Sequence, residues 1–284
     1  LLLLSPKKIL KTRPKKNLVK CIFSDILNHF FMLNLLKKTM KKYLLFSLLY
    51  FCSFVLLAQE EQKTANTPQN SGQYLDFALS GSPQKNTDSY IFALSAAWNR
   101  WHYVALKKRF FVGYGLRLTS SFAKNNSYIT APASISEGNF LKAQNQAKLD
   151  TLQLSSGQIN SLNAVIHLGY RFSSKLVLGF NIDALGFSFG GEQKGNFYAY
   201  TQGKQPSAET AKVNKLNVLL TGDYDIGSLN SELYAMYQLN DKIALRGGFS
   251  FLFSEYISNQ KLTFDNDRFR AKTLSPFLAI SIGL

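Results

Sequence analysis

Cysteine is nearly absent: the 284 residues contain two, Cys21 and Cys52, and both precede Gln59. Residues 59–284 can therefore build neither a disulfide framework nor a thiolate metal site. No run after Ala58 approaches eighteen apolar residues, which excludes a membrane-spanning helix there. Acidic residues are few, 17 against 33 Lys and Arg, a formal +16 that would suit a nucleic-acid partner. That excess is local. Residues 1–58 hold eleven Lys/Arg and one Asp, so 22 basic and 16 acidic residues remain in 59–284, a net of +6. Nucleic acid is accordingly not an expected partner. Internal repeats are missing. The glycine-rich "GFSFGGEQKG" and "LRGGF" lack the strand–loop–helix setting of a phosphate cradle. "GDYDIGSLNSE" lacks the glycine that a calcium loop needs at its sixth position. No cofactor is expected.

What is present begins at Met40, in "MKKYLLFSLLYFCSFVLLAQEEQ". Lys41 and Lys42 form a positive n-region, Leu44 to Leu57 a short apolar stretch, and Ala58 supplies the small residue before a cut at Gln59. The expected organisation is an over-extended start at 1–39, a signal peptide at 40–58, a flexible polar lead-in at 59–72 and a β-domain at 73–284. The residues before Cys52, "LLYF", are too large for a lipoprotein cleavage site.

Beyond the lead-in, the dominant signal is alternation. In "KIALRGGFSFLFSEY", Ile243, Leu245, Gly247, Phe249, Phe251 and Phe253 share one face, against Ala244, Arg246, Gly248, Ser250, Leu252 and Ser254. "SLNAVIHLGYRF" and "KLVLGFNIDALG" alternate likewise, and in "SPFLAISIGL" Leu278, Ile280, Ile282 and Leu284 share a face. Eight strands are predicted: 73–81, 90–103, 109–122, 160–172, 175–188, 229–239, 242–256 and 273–284. The links "ALKKR", "SSK" and "ND" are tight. The stretches 123–159, 189–228 and 257–272 are long, and every short link falls on the same side as the N-terminus. Aromatics (Tyr90, Trp98, Tyr170, Phe172, Tyr237) gather at strand ends. Even strand number, alternating short and long connections, and aromatic girdles are the pattern of a transmembrane antiparallel β-barrel. Apolar residues in the long segments leave a second count open: if 195–202 and 212–222 both span, the barrel has ten strands.

Signal, strand plan and C-terminal strand together resemble the small eight-stranded outer-membrane barrels of Gram-negative bacteria, over roughly residues 70–284. Phrases such as "GYGLRL", "NIDALGFSFGG" and "GDYDIGSLNSELY" carry the likeness. The resemblance implies outer-membrane lipid as the surrounding medium and the barrel assembly machinery as a partner during insertion. The usual aromatic at the end of the C-terminal signal is Leu284 here.

An eight-stranded interior is filled by side chains. Parity sends Asp76, Arg117, Arg171, Asp183, Glu232 and Arg246 inward. Arg117, Asp183 and Glu232 fall at similar heights, so a mid-barrel charge network is expected, joined by Asp76 or Arg246. Leu245, Phe249, Phe251, Phe253, Leu278, Ile280 and Ile282 are expected to face lipid, with Phe251 near the bilayer midplane. His167 points inward and His102 lies at a periplasmic end, so neither suits chemistry on outer-leaflet lipid, and no catalytic residue is expected. The leading functional expectation is a filled barrel whose long loops bind or serve the envelope. The alternatives are a narrow channel for small solutes and a lipid-modifying enzyme.

Overall fold

The structure, a computed structural model, describes residues 71–83, 88–105, 108–133, 148–261 and 263–284. The boundaries expected at 1–39 and 40–58, and nearly all of 59–72, lie outside those residues. The first strand takes in Ser71 and Gly72, two residues earlier than expected.

Among the described residues, eleven strands form one sheet: β1 (Ser71–Pro83), β2 (Tyr90–Ala105), β3 (Phe110–Thr130), β4 (Thr151–Arg171), β5 (Leu176–Phe189), β6 (Gln193–Tyr198), β7 (Pro206–Val213), β8 (Leu216–Val218), β9 (Asn230–Gln238), β10 (Ile243–Ser258) and β11 (Arg268–Gly283). Eight of them close an antiparallel ring in the order β1-β2-β3-β4-β5-β9-β10-β11, with β11 returning to β1. Its tight turns use local polar side chains. Asn240 Oδ1 accepts from the amides of Lys242 and Ile243, and Ser173 Oγ accepts from that of Leu176.

The ten-strand alternative does not hold. β6 and β7 form a hairpin that joins the far ends of β3, β4, β10 and β11 in a second, six-stranded ring above the first. The three-residue β8 runs beside β5. The long segments thus extend the wall beyond the membrane, and the membrane ring keeps eight strands. The upper ring encloses an apolar core of Tyr128, Leu152, Leu154, Phe197, Val213, Tyr256 and Phe269.

Strict alternation holds through most of the lower ring, and two of its breaks bear on the site. On β5, Ala184 is an extra residue between the pairs Val165–Asp183 and Ala164–Leu185. This bulge keeps Asp183 inside, yet turns Leu185, Phe187 and Phe189 outward and Ser188 inward. On β3, Asn125 adopts φ 48°, a left-handed conformation that asparagine tolerates better than most residues. The inward set changes there from odd-numbered residues to Asn126, Tyr128 and Thr130.

The outer face of the lower ring is apolar all round: Phe77 and Leu79 on β1, Leu94 on β2, Leu116 and Leu118 on β3, Ile166 and Leu168 on β4, Phe180 on β5, Leu233 on β9, and Leu245, Phe249, Leu278, Ile280 and Ile282 on β10 and β11. On β11 the outward row runs from Leu274 to Ile282, nine residues, which matches the roughly 9–11 needed for a tilted span. Trp98, Tyr114 and His102 cluster toward the end where that belt stops near the short turns. Polar Gln158 and Lys272 mark its other limit.

One lipid-facing expectation is corrected. Phe253 has outward parity but is buried, because Arg270 and Lys272 lie over its ring at 5.1 and 5.5 Å and Phe251 packs edge-on against it. Phe251 faces out, but at the limit of the belt away from the short turns, opposite Leu274. The centre of the β11 row is Leu278, 73% exposed. Leu278→Arg should therefore cost about 2–4 kcal/mol and Phe251→Arg about 0–1 kcal/mol, as expected for depth-dependent burial of arginine in lipid. Denaturant titrations of refolding into vesicles measure both.

Candidate functional site

The lumen is occupied at successive heights. Nearest the short turns lies an aromatic plug. Trp101 stacks on Phe111 at 4.5 Å and packs against Tyr74, with Tyr103, Tyr234, Met236 and Phe277 around them. Arg171 places its guanidinium 3.8 Å from the Tyr103 ring centre. Two glycines make room: a Cβ at Gly179 would overlap the Tyr234 ring, and one at Gly113 would come within 2.6 Å of Trp101.

Above the plug sits the charged cluster. Arg117 on β3 donates from Nε and Nη2 to Asp183 Oδ1 on β5, at 3.0 and 2.6 Å. Its Nη1 lies 3.0 Å from Glu232 Oε1 on β9. Arg246 on β10 pairs with Glu232 Oε2 and with Asp76 Oδ2 on β1, both at 2.9 Å. The result is a chain of alternating charge, Asp183–Arg117–Glu232–Arg246–Asp76, tying five strands across the lumen. Every member is at most 3% exposed, so water screens little of it. Buried ions are tolerable only when paired and when their remaining hydrogen-bonding capacity is met.

Asparagine amides meet much of that requirement. Asn163 Nδ2 and the Asn230 amide donate to Asp183 Oδ2, each at 2.8 Å. Asn181 Nδ2 donates to Glu232 Oε2 at 2.7 Å, and Asn99 Nδ2 to Asp76 Oδ2 at 2.6 Å. His167 Nε2 lies 2.9 Å from Asn99 Oδ1. Since Asn99 gives its amide hydrogen to Asp76, its oxygen accepts, which assigns the His167 proton to Nε2. Beside the cluster is a void of about 10 Å³, lined by Asp76, Asn99, Arg117, His167, Glu232 and Arg246, with room for roughly one water.

Higher still, Asn217 on β8 points inward and donates to Asn163 Oδ1 at 2.7 Å, while Ser250 donates to Asn230 at 2.8 Å. The apolar core of the upper ring follows, where burial pushes the Tyr128 phenol up to about 12. Asp150, fully buried, ties together the segments at the end away from the short turns. Its Oδ1 accepts from the Tyr200 amide and the Thr263 hydroxyl, and its Oδ2 from the Thr263 amide.

Asp76, Arg117, Asp183, Glu232 and Arg246 thus meet in one cluster, while Arg171 stands apart in the plug. Leu245, Phe249, Phe251, Leu278, Ile280 and Ile282 are on the outer face. The asparagines that complete the cluster were not anticipated from sequence, although asparagine is depleted in strands and four sit at inward positions. Nor was a second ionic group. Glu255 is 0% exposed and binds Arg268 and Arg270 at 2.8 and 2.7 Å. Its position on β10 has outward parity, which reads as solvent-exposed until a covering segment is known.

No protein-family model and no curated protein matches this sequence. Several solved structures are similar. Neisserial surface protein A (NspA) shares 9% identity over 75% of this chain and 97% of its own, with a TM-score of 0.32. The attachment invasion locus protein Ail of Yersinia pestis, solved with the heparin analogue sucrose octasulfate, shares 10% over 75% and 97%, with a TM-score of 0.30. The Ralstonia pickettii toluene transporter TbuX shares 8% over 79% and 92%, with a TM-score of 0.24.

Removing Arg117 would leave Asp183 and half of Glu232 buried without their counter-ion. Arg117→Ala should destabilise the barrel by about 3–5 kcal/mol, read from the denaturant midpoint of the refolded protein. Unchanged stability would mean that the residue faces water.

Proposed function

We propose that the chain is an exported outer-membrane barrel that conducts no solute, and that its extracellular β-head does binding or envelope-structural work. The observation that carries this reading is the filled lumen. Aromatic plug, ion-paired cluster, polar layer and apolar upper core succeed one another along the axis, and the void at mid-height is water-sized. A channel needs a continuous polar path, and the aromatic plug and the apolar upper core each interrupt one.

The outer-membrane location draws on the apolar belt, on the export signal read at Met40–Ala58 and on the terminal strand "SPFLAISIGL", which suits the assembly machinery. A non-enzymatic role draws on the placement of the two described histidines. His167 is committed to Asn99 inside the lumen, and His102 stacks on Tyr114 near the short-turn end, away from the outer leaflet. The head itself is built for presentation. Strands β3 and β4, 21 residues each, are about twice a span's length, and the upper ring holds their far halves rigidly outside the bilayer.

Purified protein in planar bilayers should show no steady conductance, and neutralising Asp183 with Asp183→Asn should not open one, because the plug below is untouched. Stable unitary currents from the unmodified protein would overturn the reading in favour of a solute channel.

A further inference from the structure

The segment between β8 and β9, residues 219–229, does not stay within the wall. Arg268, Arg270 and Lys272 share the even parity of Leu274, Leu278 and Ile280, so they stand on the outer face of β11. Arg268 and Arg270 both donate from Nη2 to the Asp225 carbonyl, Arg270 Nη1 donates to the Asp223 carbonyl, and Lys272 Nζ binds Asp223 Oδ1 at 2.7 Å. The segment is therefore strapped over the outside of β10 and β11, immediately above the last apolar positions of the belt, Phe251 and Leu274.

Its charges are spent on that attachment. Asp223 is paired with Lys272, and Asp225 Oδ1 accepts from the Leu220 amide at 2.7 Å. The large side chains that the strap presents outward are apolar-bodied, Leu220 at 51% and Tyr224 at 44% exposed, with the small Thr221 and Gly222 exposed between them. These residues continue the lipid-facing surface. Leu216, 51% exposed, pairs with Phe187 across β8 and β5, and Phe187 and Phe189 are themselves outward and in ring contact. A contiguous exposed apolar patch asks for a covering medium, and a tyrosine with aliphatic neighbours at a membrane rim suits the headgroup region.

We infer that the 219–229 strap is an interfacial anchor, an extracellular segment folded back along the barrel's outer wall so that Leu220 and Tyr224 enter the outer-leaflet interface. Its occupant is lipid, by continuity with the belt. The inference rests on the membrane-barrel reading but not on the absence of conductance.

The lack of cysteine in 59–284 makes the test direct. In a full-length background with Cys21→Ser and Cys52→Ser, single variants Leu220→Cys and Tyr224→Cys carry a nitroxide. Phe249→Cys in the belt and Lys204→Cys on the β6–β7 turn serve as references. Each is reconstituted in phosphatidylcholine–phosphatidylglycerol vesicles, folding is verified by heat-modifiable gel migration, and collision rates with oxygen and with a water-soluble nickel chelate are compared. Leu220→Cys and Tyr224→Cys should resemble Phe249→Cys, with high oxygen and low nickel accessibility. A profile matching Lys204→Cys would place the strap in water and overturn the inference. Low accessibility to both reagents, as contact with a second copy gives, would overturn it too. Failure of Phe249→Cys itself to show a lipid profile would indict the barrel reading instead.

Discussion

Two arginines and three carboxylates share a space from which water is largely shut out, and the architecture depends on their mutual pairing. Glu232 is the hinge of that arrangement, since it alone touches both guanidiniums. Closure of an eight-stranded ring creates the problem, because its interior is too narrow for bulk solvent. The same closure solves it by bringing β1, β3, β5, β9 and β10 within side-chain reach of one another. The asparagines then donate to Asp76 Oδ2, Asp183 Oδ2 and Glu232 Oε2. Such a network is weak evidence of net stability compared with an apolar core. Its consequence is specificity: a one-residue slip in any of these strands would turn a charge into lipid.

From that inner constraint the outer one follows. Every inward charge fixes the parity of its strand, and the opposite parity supplies the apolar belt. The bulge at Ala184 shows the two demands being reconciled. Asp183 must point inward to meet Arg117, and Leu185, Phe187 and Phe189 must point outward, so an extra residue lies between them. Above the belt the wall no longer faces lipid. There the β1–β2 hairpin and the β5–β9 pair drop out, and β3, β4, β6, β7, β10 and β11 carry on as a narrower ring around a conventional apolar core. The head is thus a continuation of the barrel wall rather than a set of loose loops, with Asp150 as its fastening.

Much of this was legible in the sequence for one reason: a membrane barrel writes its inside and outside as period-2 alternation. The eight membrane strands, the three tight turns and the five clustered charges all come from parity. What parity cannot convey is pairing over long distances. The stretches 195–202 and 212–222 read as candidate spans because Phe197, Tyr198, Tyr200 and the run Leu216 to Leu220 are apolar enough for either lipid or a protein core, and the partners that β6 and β8 find, β4 and β5, lie far along the chain. Phe253 and Glu255 were misjudged or passed over for a related reason. Both have outward parity, and the 219–229 strap, Asn214 and the side chains of Arg268, Arg270 and Lys272 account for their burial. The flip at Asn125 leaves no mark in sequence beyond an asparagine at a tolerated left-handed position.

The claim that the lumen is a sealed, ion-paired core is tested most directly by a double-mutant cycle on Arg117 and Asp183, using Arg117→Met, Asp183→Asn and the pair, each refolded into vesicles and titrated with denaturant. A buried contact at 2.6 Å predicts a coupling energy above about 1 kcal/mol, within the roughly 0.5–3 kcal/mol seen for residues in one network and beyond what exposed pairs give. The double variant should then be more stable than the sum of its parts allows. Additive losses, with no coupling, would mean that water reaches these groups and that the lumen is open.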